Sequence, residues 1–254
     1  MRNVPLAEVD RVDRAVLPIG TDYPPVHVLD WHHHRRAQFL YGATGVMVVE
    51  TADGTWTVPT DRAVLIPPAT PHRVRMLDVS TRSLYVEPAA VPWWPADCRV
   101  VDVTPLLREL LLAAVEFTPE YDLAGRDGAV AALLLHEIAA LAPLPLHVPL
   151  PTSPDLATLC RAYLDTPDVQ VTNTEWASRA SMSERAFTRR FRQELNQSPA
   201  AWRLKARLLA SAPLLRDHTV TEVAARLGYS SPAAFTAAFT ASFGLAPSKL
   251  VQRG

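Results

Sequence analysis

Apolar positions follow two regimes along the 254 residues. Between residues 26 and 87, short apolar runs and alternations are broken by turn signals, which predicts strands. Beyond about residue 100 the apolar residues recur at helical spacing. In the first regime, "GVMVVETADGTWTVP" places an Asp53-Gly54 turn between apolar and β-branched flanks, a hairpin signature. "RAVLIPP", "HRVRML" and "RSLYVEP" follow at the close spacing of an all-β sandwich or barrel. In the second, "TPLLRELLLAAVEF" and "DGAVAALLLHEIAALA" predict helices opened by capping residues. Both are apolar around more than one face, so each packs deeply or pairs with another chain. "APLPLHVPLPTSP", residues 142–154, carries five prolines and reads as a stiff linker. The expected organisation is a β unit at 1–100, a helical segment at 101–141, the linker at 142–154 and a helical unit at 155–254.

Composition adds a compartment and a charge asymmetry. With 48% hydrophobic and 20% charged residues the chain reads as an ordinary globular protein. No apolar run reaches the roughly 18–20 residues of a membrane span, and "MRNVPLAEVDRVDRAV" lacks the apolar core of a secretory signal. Cys98 and Cys160 lie far apart, which suits buried thiols in a reducing cytoplasm. The net charge of −1 hides a split. From Asp155 onward there are 13 Lys and Arg against 8 Asp and Glu, whereas the preceding residues hold 12 against 18. A polyanionic partner would therefore meet the rear of the chain.

That rear contains a duplication. "SERAFTRRFRQELNQSP" from Ser183 aligns with "SPAAFTAAFTASFGLAP" from Ser231, matching Ala186 to Ala234, Phe187 to Phe235, Thr188 to Thr236 and Phe191 to Phe239. Upstream the offset shortens by one residue, pairing Glu175 with Glu222 and Ala177 with Ala224, so the second copy gains a residue between its two helices. Each copy reads as a helix, a tight turn and a second helix. Gly228 is suited to the left-handed turn residue, and Ser181 takes that place in the first copy. Phenylalanines four apart place an apolar stripe inward, while Arg185, Arg189 and Arg192, with Arg190 alongside, face away. An apolar back and a guanidinium front suit the DNA major groove. The joining stretch of about 19 residues spans about 28 Å as one helix, with a kink expected at Pro213.

Residues 155–250, and "VTEVAARLGYSSPAAFTAAFTASFGLAP" in particular, resemble the paired helix-turn-helix domain of AraC/XylS-type transcriptional regulators. The resemblance implies binding to double-stranded promoter DNA. It places base contacts at Arg185, Thr188 and Arg189, with Arg192 on the same face, and at Ala233, Thr236 and Ala237 in the second module. The second reading helix has no arginine or lysine, so alanine against thymine methyls, or backbone contacts from Ser230, Ser231 and Thr236, would replace them.

The front unit carries "DWHHHRRAQ". On a strand, His32 and His34 share one face, and Gln38 keeps their parity. "IPPATPH" brings His72 to the start of a later strand. Three imidazoles and an amide oxygen suit one first-row divalent transition metal. His33, Arg35 and Arg36 read as a solvated loop face. The pattern resembles the cupin (jelly-roll) barrel: His32, His34, Gln38 and Gly45 occupy its first motif, and Pro67, Ala69 and His72 its second. Gln38 replaces the usual carboxylate and Ala69 the usual glycine. Two contents of the pocket stay open, the metal and an organic effector for which the histidines form a hydrogen-bonding wall.

Trp93 and Trp94 are expected to be core aromatics, and His136 a satisfied core histidine on an apolar helix. The resulting reading is a multi-domain regulator: an all-β cupin sensor barrel, helices, and an all-α double helix-turn-helix domain. Its expected partners are promoter DNA, a small-molecule or metal effector, and a second copy in a homodimer through residues 102–141. The alternative, a metal-dependent cupin enzyme fused to a helical domain, explains the histidines but leaves residues 155–254 without a role. No nucleophile elbow or phosphate loop is present in the sequence, so catalysis is not expected.

Overall fold

The structure, a computed structural model, describes residues 1–250; the last four residues of the 155–254 unit lie outside it. A short helix α1 (Leu6–Val9) precedes eight strands. These are β1 (Val16–Asp22), β2 (Val26–His32), β3 (Ala37–Gly42), β4 (Val46–Glu50), β5 (Gly54–Pro59), β6 (Arg62–Ile66), β7 (His72–Leu77) and β8 (Ser80–Val86). β9 (Arg99–Asp102), α2 (Pro105–Ala114), α3 (Arg126–Ala139), β10 (Pro143–Leu144) and β11 (His147–Pro149) complete the front unit. Two antiparallel sheets result, one ordered β1-β8-β3-β6-β9-β10 and the other β11-β5-β4-β7-β2.

Alternation along β4, β5 and β7 sends Met47, Val49, Trp56, Val58, Val74 and Met76 between the sheets, where they meet Leu40, Val64 and Ile66 from the first sheet. β3 breaks that alternation, since all six residues of "AQFLYG" are buried. Its second face is covered: Phe39, Tyr41, Leu65 and Leu84 pack beneath Leu107 and Leu111 of α2 and Leu134 and Ile138 of α3. A sheet buried on both sides reads as a continuous apolar run.

Several expectations need correction. The proline-rich stretch is no free linker, because β10 pairs with β9 and β11 with β5, tying residues 143–149 to an edge of each sheet. Proline tolerates such edges, having no N–H to contribute to a further neighbour. His136 is exposed on the outer side of α3, and Trp93 is 41% exposed, although Trp94 is half-buried with its indole N–H donating to the Ile66 carbonyl at 3.2 Å. Arg36 is 2% exposed. Its guanidinium pairs with Asp10 at 3.0 Å and Glu87 at 3.3 Å and donates to the Arg14 and Val12 carbonyls, fastening the N-terminal segment to the barrel.

The remainder is helical: α4 (Pro154–Asp165), α5 (Asn173–Arg179), α6 (Glu184–Leu195), α7 (Pro199–Ala210), α8 (Ala212–Asp217), α9 (Val220–Arg226) and α10 (Pro232–Phe243). The stretch joining the copies is two helices rather than one, broken at Ser211 just ahead of Pro213. Trp176, Phe187, Phe191 and Trp202 form the core of the first module, and Phe235, Phe239 and Phe243 that of the second. This helical unit lies against the outer face of the β11-β5-β4-β7-β2 sheet. The Trp202 indole donates to the Pro149 carbonyl at 2.7 Å, and Arg216 of α8 reaches Asp78 at 2.5 Å and the Leu77 carbonyl at 3.2 Å.

Candidate effector and DNA-binding sites

The histidine cluster depends on a bulge. β2 pairs with β7 in regular register from Val26↔Leu77 to Leu29↔Val74, and pairing then resumes at His32↔His72. Three residues of β2 therefore span two of β7. Unbroken pairing would place Trp31 opposite His72. The extra residue sends Trp31 outward, 51% exposed, and turns His32 toward the barrel. His34 lies beyond the strand end, its carbonyl accepting from the Ala69 N–H at 2.7 Å. Ala69 sits at φ +57°, which explains the glycine of the related motif at this position. Gly45 is more constrained: at φ +71° an added Cβ would lie 2.2 Å from the Leu77 carbonyl oxygen.

One ligand atom from each of His32, His34 and His72 lies within 4.8 Å of the other two. The Nδ1 atoms of His32 and His72 face the Asp30 and Thr70 carbonyls at 2.6 and 2.9 Å. A donated Nδ1–H leaves Nε2 as a bare lone pair aimed elsewhere. His72 Nε2 is indeed buried without a hydrogen-bond partner, and His34 Nε2 is also buried without one. Burial, reinforced by the neighbouring imidazoles, lowers the His34 pKa to about 3; burial lowers that of His72 to about 4 despite the Thr70 hydrogen bond. Both rings are neutral at pH 7, the form that binds metals.

Gln38 is not on the histidine strand but on β3 in the facing sheet, 4% exposed. Its Nε2 donates to the Tyr85 hydroxyl at 3.1 Å, while Oε1 is buried without a partner. Tyr85 meets His34 edge-on at 5.0 Å and so links Gln38 to the cluster. Sequence reasoning missed Tyr85; the alternation of β8 was the available signal, but it could not name a partner 47 residues away.

The second site is on the two modules, which repeat down to their hydrogen bonds. Met182 N–H donates to the Ala177 carbonyl as Tyr229 N–H does to Ala224, both at 2.9 Å. The turn residues Ser181 and Gly228 have φ of +55° and +74°. Ser183 and Ser231 then cap α6 and α10 by accepting from the N–H groups of Ala186 and Ala234. The offset is 47 residues at the turn bonds and 48 at the caps, so the added residue falls at Ser230. Thr219 and Glu222 close a reciprocal capping box at the start of α9.

On α6, Arg185, Thr188, Arg189 and Arg192 line one surface groove. The three guanidiniums are exposed and make no hydrogen bond or ion pair among the described residues. Arg190 differs from them, being held by Asp155 of α4 at 2.8 and 3.0 Å and by Glu194 at 3.3 Å. On α10, Ala233 and Ala237 are exposed and Thr236 half-buried, with Ser230 exposed at the turn and Ser231 half-buried as the cap.

Comparisons with known proteins bear on both units. The AraC-like ligand binding domain family matches residues 18–165, and a helix-turn-helix domain family matches residues 176–253. The chain belongs to the AraC family. It is similar to the HTH-type transcriptional regulator NimR of Escherichia coli strain K12, 28% identical over 224 residues, covering 87% of this chain and 82% of that one. Among solved structures, apo ToxT of Vibrio cholerae is 9% identical with a TM-score of 0.38, covering 94% of this chain and 99% of ToxT. The DNA-binding domain of AdpA in complex with a target DNA is 35% identical over 38% of this chain and 89% of that one, with a TM-score of 0.34. This AraC-family chain is a transcriptional regulator with an N-terminal ligand-binding domain and a C-terminal helix-turn-helix DNA-binding domain. Among the described residues no helix is long and apolar enough to cross a membrane.

Proposed function

We propose that the ligand-binding barrel senses one divalent transition metal at His32, His34 and His72, and that the protein works in the cytoplasm by binding rather than by catalysis. The observation that carries this reading is the set of orphaned polar atoms: His34 Nε2, His72 Nε2 and Gln38 Oε1 are all buried without a partner. A buried acceptor without a donor costs about 1–3 kcal/mol, and a cation bound by the imidazoles would remove that cost. Three imidazoles with one amide oxygen form a borderline N/O donor set, which suits a first-row ion. Metal analysis of protein exchanged against zinc, nickel or cobalt is expected to give one ion per chain. His72→Ala is expected to remove it; a full equivalent retained by that variant would overturn the assignment. An organic effector hydrogen-bonded by the same histidines is the second reading, supported by the match to a ligand-binding family.

DNA reading is assigned to Arg185, Thr188, Arg189 and Arg192 of the first module, with Ser230, Ser231, Ala233, Thr236 and Ala237 following the duplex in the second. We further propose a homodimer through residues 102–141, from the exposed Leu106 (51%), Leu133 (40%) and His136 on the outer side of α2 and α3. Leu133→Glu would set a carboxylate in that contact. The unmodified protein is expected to sediment as a dimer and this variant as a folded monomer. A monomeric unmodified protein at all concentrations removes the assignment.

A further inference from the structure

The arginine groove of the first module holds one residue of the wrong sign for a polyanion. Glu184, the first helical residue of α6, lines it together with Arg185, Thr188, Arg189 and Arg192. The two carboxylates of α6 differ in their surroundings. Glu194 is half-buried and holds Arg190 at 3.3 Å and the Ser153 N–H at 3.0 Å. Glu184 is exposed and meets no cation among the described residues. Its Oε2 accepts from the Thr174 hydroxyl of α5 at 2.7 Å, and its Oε1 has no internal donor among the described residues.

An acid in the first turn suits the positive end of a helix, which by itself accounts for the residue type. The same position has a second consequence once a duplex is bound. The N-terminal residues of a recognition helix are those that meet base edges, and phosphates flank the groove on both sides. A carboxylate carried there loses water and gains repulsion, a cost that is offset only where a base edge supplies a donor. The donors of the major groove are the amino groups of cytosine and adenine. Cytosine presents N4–H alone, whereas adenine sets the N7 acceptor beside its amino group, where a carboxylate is repelled. The second module has Pro232 at the corresponding place, with no side-chain acceptor, so only the first module carries this chemistry.

We infer that Glu184 is a specificity-determining residue that selects cytosine at one position of the first module's half-site, with Thr174 as its positioning residue. The inference rests on the assignment of base reading to Arg185, Thr188 and Arg189. The carboxylate acts in two directions. It accepts from cytosine N4, and at the same position it faces the O6 and N7 acceptors of guanine or the O4 acceptor of thymine, where repulsion penalises the wrong base. On random sequence most registers set it against acceptors and phosphates, so it weakens non-specific binding. The arginines attract any duplex, and the one acid makes that attraction conditional on sequence.

The test is selection of duplexes from a randomised pool by the full chain, beside Glu184→Gln and Thr174→Val, followed by gel-shift titration on the selected and on random duplexes. The unmodified chain is expected to fix a cytosine within the first module's half-site. Glu184→Gln keeps an acceptor for Thr174 and puts in place of the carboxylate an amide that pairs with adenine N6 and N7. It is expected to move that position from cytosine toward adenine and to lower the preference for the original sequence over random at least about 5-fold. It is also expected to bind random duplex more tightly, most visibly at low salt. Thr174→Val is expected to blur the cytosine preference while affinity for random duplex stays unchanged. The inference is overturned if Glu184→Gln selects the unmodified motif. It is equally overturned if both variants weaken binding to every duplex alike, in step with a lower melting temperature. Arg189→Ala, selected in parallel, separates the two assignments. A motif changed by Arg189→Ala but not by Glu184→Gln removes the role of Glu184 alone, and a motif changed by neither removes base reading by the first module as well.

Discussion

Arg189→Ala is expected to weaken specific promoter binding by about 1–3 kcal/mol, the worth of one bidentate base contact. Nothing in the folded chain competes for the Arg189 guanidinium, which has no internal partner among the described residues and projects from a helix capped by Ser183 and anchored by the buried Phe187 and Phe191. Removing it should leave stability unchanged, so the whole effect falls on recognition. Ala237→Ser at the equivalent place on α10 is expected to change binding by only a few tenths of a kcal/mol, within the range of ordinary surface substitutions. Arg190→Ala separates the roles further: it breaks the ion pair with Asp155 and should lower the melting temperature rather than selectively weaken the specific complex. Gel-shift titrations of the three variants at two salt concentrations distinguish these outcomes. If Arg189 binds a phosphate, its removal lowers the salt slope by about 1; if it reads a base, its removal lowers the preference for specific over random sequence. Equal weakening by Arg189→Ala and Ala237→Ser would contradict the unequal-module assignment.

Acidification of the metal-free protein from pH 6.5 to 4.5 is expected to cost on the order of 2 kcal/mol of folding stability through His34 and His72. In the folded state their pKa values lie at about 3 and about 4, below the usual histidine value near 6.5. The unfolded chain therefore takes up protons at these residues while the folded chain does not, and stability falls as pH drops through this window. Above the unfolded value the contribution is fully present. Each histidine contributes at most about 1.4 kcal/mol per pH unit, and partial solvation reduces that figure. Urea denaturation of chelator-treated protein across the window measures the slope. The His34→Gln/His72→Gln double variant should flatten it. An unchanged slope in the double variant would mean that other groups carry the acid sensitivity.

The candidate sites were unevenly legible. The two helix-turn-helix modules could be read from residues alone, because capping serines, phenylalanines four apart and a left-handed turn residue are encoded within a few positions of one another. The three clustered histidines were named by type but for an incomplete reason. Period-two alternation would place Trp31, not His32, opposite His72; the one-residue bulge after Leu29 decides otherwise. Gln38 lies on the opposite sheet, and its link to His34 runs through Tyr85, which no local pattern marks. Arg36 looked like a solvated neighbour of Arg35 because its partners, Asp10 and Glu87, lie 26 and 51 positions away in the chain.

From its order of residues alone the chain determined two helix-turn-helix copies, their unequal charge, and a strand-rich front half carrying a histidine pair. These depend on backbone preferences and side-chain spacing over one or two turns of helix or a single strand. The fold in three dimensions decided which strands became neighbours, that the prolines of residues 143–149 close two sheet edges, that α2 and α3 bury one sheet on its second face, and that the helical unit packs against the outer face of the other. Such features arise from contacts between residues far apart in sequence, where many pairings satisfy the same local pattern and only the packing of the whole chain selects one.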